Sequence, residues 1–226
     1  MKGTRNRPAR EAPDEQEILS YWFPPSIHEA DAGTYREQWL RWFAGGSEVE
    51  QDITDRFGEV LEQARRSELD SWAETPRGQL ALIIVLDQFS RSIYKGTPMA
   101  YAQDPAALRL AREGIEAGMD RDMEVAEQLF FMMPLGHAEG PDHLERMDLA
   151  VRCAEEQLDL APAHLKPMYE FSLGQARGHR DVIARFGRHP HRNAVLGRAS
   201  TPEELEYLKN EIPVHTRRPR SKDKED

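Results

Sequence analysis

Leu80 to Leu86 is an unbroken apolar run, LALIIVL, preceded by Thr75 and Pro76. Threonine followed by proline is an N-cap and first-turn pair: the hydroxyl accepts from a free N–H, and proline has no N–H to leave unsatisfied. A helix started there carries apolar side chains all round, so every face must be covered and the helix must run through the centre of the fold. A buried strand of the same length is the competing reading. The cap before the run, with Phe89 and Ile93 after it, favours a helix ending near Gly96.

The flanking sequence supplies helices to cover it. Asp14 with Glu17, Thr34 with Glu37, and Ser47 with Glu50 have capping-box spacing. After the third, Val49, Ile53, Phe57, Val60, Leu61 and Ala64 form one stripe at helical spacing, which predicts an amphipathic outer helix. Further helices are expected from Asp104 and Pro105 to Gly118, from about Asp122 to a break or kink at Pro134, and from Asp142 with Glu145 to Leu160. Pro162 opens a segment ending near Gly187, in which Pro167, Gly174 and Gly178 predict a kink or two stacked pieces. Thr201, Pro202 and Glu204 start the last helix. No turn dipeptide separates alternating strands, so the fold class expected is all-α.

The expected layout is a single helical domain over 13–213, between disordered segments at 1–12 and 214–226. A formal net charge of -10 disfavours nucleic acid held by bulk charge. One cysteine, Cys153, leaves no internal disulfide and no multi-cysteine metal site. The basic N-terminus runs into acids where an export signal needs an apolar core, and Leu80–Leu86 is too short to span a bilayer. A cytoplasmic location is the expectation, with no membrane partner.

Against that acidity, His179 to Arg198 holds three histidines and five arginines. Crowded guanidiniums need carboxylates or phosphates opposite them. Three blocks stand out: LDQFSRSIYKGTPMAYAQDPAAL from Leu86, PLGHAE from Pro134, and HRDVIARFGRHPHRNAVLGRASTPEE from His179. With these the chain, over about 18–208, resembles the uncharacterised bacterial family called domain of unknown function nine-two-four. The resemblance implies a compact all-helical array like a tetratricopeptide-repeat superhelix, and implies no activity. Family members often read HSE where this chain has His137, Ala138 and Glu139, and FGRFPHRN where it has His189. Without the serine, a hydroxyl nucleophile beside His137 is disfavoured, and His189 reads as a neutral stand-in for an aromatic ring.

The candidate ligand-binding residues are Asp87, Arg91, His179, Arg185, Arg188, His191, Arg192, Asn193 and Arg198. Asp87 and Arg91, one helical turn apart, share a face. Pro190 opens a short helix whose free N–H groups, with Arg188, Arg192 and Asn193, would favour a phosphate, a small carboxylate or a peptide carboxylate. His137, Glu139 and His191 are the acid-base candidates if the site is a hydrolase or transferase. Alternatively the arginines form a structural network with carboxylates, with a protein-interaction role, while His137 caps carbonyls freed by Pro134 and Glu139 pairs with an arginine. No metal is expected at His137, Glu139 and His143, or at His189 and His191, because they lack helical zinc-site spacing. No cofactor is expected, since Walker, nucleotide-binding and nucleophile-elbow motifs are missing.

Overall fold

The computed structural model describes residues 13–210, apart from 25, 26 and 28. The expected terminal segments 1–12 and 214–226 lie outside the described residues, within which the chain is all-α and has no strand. Helix α1 (Glu15–Trp22) is capped by Asp14, whose side chain accepts from Glu17 N at 2.8 Å. Helix α2 (Ala32–Ala44) starts earlier than the Thr34 signature predicts. Asp31 is its cap, accepting from Gly33 N at 2.7 Å and Thr34 N at 3.1 Å. In α3 (Ser47–Arg65), Ser47 is the first helical residue rather than the cap. Gly46 takes the cap position at φ +139°, which a side chain would strain. The expected stripe of α3 is buried from Ile53 to Ala64.

The central helix forms as the apolar run requires. Thr75 Oγ1 accepts from Gly78 N at 3.0 Å to open α4 (Pro76–Ile83), and no residue from Leu80 to Leu86 is more than 4% exposed. It does not stay α-helical, however. Ile84–Phe89 is a π-helical stretch, which passes into α5 (Ser90–Ile93). Phe89 stacks on Phe57 of α3 with ring centroids 4.9 Å apart, and meets Trp22 of α1 edge-on at 5.6 Å.

Helix α6 (Asp104–Ala117) ends on Gly118 at φ +70°. Helix α7 (Val125–His137) opens on a reciprocal box between Glu124 and Glu127 rather than at Asp122, and it runs through Pro134 instead of stopping there. Proline removes one backbone bond, but Phe130, Phe131 and Leu135 beside it are fully packed and hold the helix in place. Helix α8 (His143–Leu160) is followed by α9 (Lys166–Phe186), which is one helix and not two pieces. Pro167 lies in its first turn, where its missing N–H costs nothing. Each internal glycine costs only ~1 kcal/mol, which packing along α8 offsets. The pairs Arg177–Glu155 and Arg180–Asp148 show that α8 and α9 run antiparallel, and the five-residue connection between α7 and α8, which pack along each other, makes them antiparallel too. Helix α10 (Pro202–Asn210) has the expected box, with Thr201 N donating to Glu204 at 2.8 Å and Glu204 N to Thr201 at 3.2 Å. No helix among the described residues is long and apolar enough to cross a membrane.

Candidate functional site

A helix leaves its last carbonyls without donors, and at the end of α7 four in succession are met by side chains. Leu135 O and Ala138 O accept from Arg146, the latter at 2.8 Å. Gly136 O accepts from both His143 Nε2 at 2.9 Å and His189 Nε2 at 3.0 Å, and His137 O accepts from Arg192 Nη1 at 2.8 Å. Basic side chains are electrostatically suited to a helix C-terminus. The residues that cap this end are therefore Arg146, His143, His189 and Arg192, while the side chain of His137 is left for another partner.

That partner is Asp87. The π-helical stretch places Asp87 wholly inside the protein, and His137 Nδ1 lies 2.9 Å and 2.8 Å from its two oxygens. An ionised carboxylate only accepts, so Nδ1 carries the hydrogen that bonds Asp87. Arg91 pairs with Asp87 at 3.0 Å and with Asp104 at 2.9 Å, and buried Arg192 pairs with Asp104 at 3.1 Å. Tyr101 lies under both guanidiniums, 4.5 Å from Arg192 and 5.7 Å from Arg91. Burial opposes charge on Asp87, but Arg91, His137 and Gln88 outweigh it and hold its carboxyl far below the usual range. For Asp104, burial and the neighbouring Asp87 push the carboxyl up, against Arg91 and Arg192. Of the two acids, Asp104 is the one that takes a proton first.

Arg91, His137 and Arg192 reach past this cluster to the wall of a 540 Å³ cavity. Lys95, His179, His189 and His191 also line it, and no carboxylate does among the described residues. Asp87 and Asp104 stand behind the arginines. Buried Arg192 Nε has no acceptor within the protein, and buried Trp39 Nε1, also on the wall, has none either. The histidines surround His189, whose ring centroid is 5.1 Å from His143, 5.7 Å from His179 and 5.4 Å from His191. Burial first, then the charges of Arg192, His179 and His191, hold His189 well below the ordinary imidazole range. It is a neutral ring, the role its place in an otherwise aromatic position suggests.

The remaining candidates go elsewhere. Arg188 and Asn193 both bind Glu204, Arg188 at 2.7 Å and 2.8 Å and Asn193 at 3.1 Å, which fastens α10 to the loop after α9. The turn opened by Pro190 is only three residues long, and Arg192 N and Asn193 N are spent on His189 O and Pro190 O. These groups therefore do not converge on an anion. Glu139 accepts from Arg198 at 3.2 Å and from His189 N at 2.8 Å, so it is not an acid-base partner of His137. Arg185 pairs with Glu203 on the outside. Among the described residues, no three His, Cys, Asp or Glu side chains come together in a way that would hold a metal ion. Sequence reading missed Asp104, taken there only as a helix opener, and Tyr101 and Glu204. It also missed the opposite wall, where Trp39, Phe43, Leu129, Met132, Met133 and Met147 lie.

No curated protein matches the chain. A solved structure of a protein of unknown function from Agrobacterium tumefaciens is similar to it, with 32% sequence identity and a TM-score of 0.67 over 86% of this chain and 96% of that one. The family described as bacterial protein of unknown function (DUF924) matches residues 18–211. The fold and the three sequence blocks that build the cluster thus place the chain in this bacterial family of unknown function.

Proposed function

We propose that the protein binds a small anion in the cavity between α7, α8, α9 and the end of the central helix. The observation that carries this reading is the charge arrangement of the wall: Arg91, Lys95, Arg192 and four histidines line it, and the neutralising acids lie behind them. An anion entering there meets the basic side chains of Arg91, Lys95 and Arg192 and no like charge. Acetate, phosphate and sulfate, titrated at constant ionic strength, are expected to raise the melting temperature saturably through binding linkage, with one site by calorimetry. A response to each salt no larger than that to sodium chloride would reject the reading.

A second reading, acid-base chemistry, is favoured by the pair of Asp87 and His137. A buried carboxylate bonded to Nδ1–H, on a histidine that lines a cavity, is the arrangement a general base needs. Any turnover should then fall at least ~100-fold in His137→Gln and survive in Glu139→Gln, because Glu139 serves Arg198. Turnover that survives in His137→Gln would remove this reading.

A further inference from the structure

Arg192 and the histidines gather at one end of the cavity, and the helix directions show what fills the rest. On α7 the lining runs back from His137 through Met133 and Met132 to Leu129, ~12 Å along the axis. On antiparallel α8 it runs from Met147 through Ala150 and Ala154 to Gln157, ~15 Å. On α9 it runs from His179 back to Ser172, ~10 Å. Phe43 stacks on Phe130, next to Leu129, and Trp39 meets Phe171, next to Ser172, so both aromatics stand at the end away from the histidines. The cavity is therefore long, with a basic end, a methionine- and alanine-lined middle, and a far end closed by Gln157 and the Trp39 ring.

We infer that this cavity takes a medium-chain aliphatic carboxylate, its head at Arg192 and His137 and its tail along the methionines toward Trp39. This rests on the anion-binding reading above and adds the identity of the anion's body. A monoanionic, two-oxygen head suits the site. The arginines are already matched one for one by Asp87 and Asp104, so a singly charged head is held better there than a phosphate dianion, which binds more weakly. Unbranched thioether side chains adapt to a flexible tail. With carbon–carbon bonds of about 1.5 Å at tetrahedral angles, an extended chain advances about 1.3 Å per carbon, so eight to ten carbons span the ~12 Å available. Longer chains push methylenes onto Gln157 and the closed end of the cavity, and the gain stops.

Calorimetry on the full chain with acetate, hexanoate, octanoate, decanoate and dodecanoate, all below micelle formation, tests this, with 1-decanol as the headless control. Affinity is expected to rise about tenfold for every two carbons from hexanoate to decanoate, to level off at dodecanoate, and to be more than tenfold weaker for decanol. In Ala154→Phe, which narrows the far half, the optimum should move to a shorter chain. If that variant does not fold, the series on the native chain decides alone. Affinity flat from acetate to decanoate overturns the inference while leaving anion binding intact. Decanol binding as tightly as decanoate overturns the anion reading and the head assignment with it. No saturable binding of any probe rejects both.

Discussion

His189 is a histidine kept neutral by its surroundings, and that has a sign in stability. Burial, with Arg192, His179 and His191, lowers its folded pKa well below the ordinary 6.5, and burial lowers that of His143. The unfolded chain therefore gains protons first as the pH falls. Stability from these rings is present above pH 6.5 and lost progressively below it. Melting curves between pH 7 and pH 5 should slope downward, and His189→Phe should flatten the slope, with Gly136 O still served by His143. An unchanged slope would show that the loss originates elsewhere. At this scale the sequence was legible where partners are local: Asp87 and Arg91, four residues apart, pair as their spacing predicts. It was not legible where partners are distant. His137 meets Asp87 across fifty positions, which nothing in local spacing indicates, and although an arginine partner for Glu139 was expected, that it is Arg198, fifty-nine positions on, was not readable.

Helix ends and breaks show a similar division. Caps supplied by a side chain on its own backbone, at Asp14, Thr75 and Thr201, were readable because the interaction is contained within four residues. Pro134, Gly174 and Gly178 misled, because local propensities of one to three kcal/mol are overridden by a packed face. The π-helical stretch was likewise invisible. It keeps Phe89 against Phe57 while turning Asp87 inward, a demand that comes from the assembled core. Gly114 shows how tightly these elements meet: a Cβ there would lie 2.2 Å from Gln79 Oε1 of α4 and 2.4 Å from Phe131 Cζ of α7. Gly114→Ala improves helix propensity locally, yet it should destabilise the protein by about 1–3 kcal/mol through overpacking. Denaturant unfolding measures this, and a neutral or stabilised variant would mean that the three helices separate easily.

For the whole molecule, the helical class followed from the sequence because caps and stripes recur along its length. The cavity did not follow, because its walls come from α2, the central helix, α7, α8 and α9, and no segment contains more than a fraction of it. One consequence of its construction concerns how a ligand arrives. The chain as a whole is strongly acidic, and the basic groups that face the cavity are backed at short range by buried acids, so little of their field extends into solvent. An approaching carboxylate is repelled by the exterior before it is attracted by the interior. Raising ionic strength shortens the reach of that repulsion from ~30 Å at 0.01 M to ~8 Å at 0.15 M, while screening the enclosed contacts far less. Stopped-flow tryptophan fluorescence with decanoate should therefore show association that accelerates with added salt. Deceleration would mean that the positive wall is felt outside. With accelerated association, the entrance acts as a selective filter in time: singly charged, oily anions cross it readily, and highly charged metabolites are held off by the chain's net negative charge.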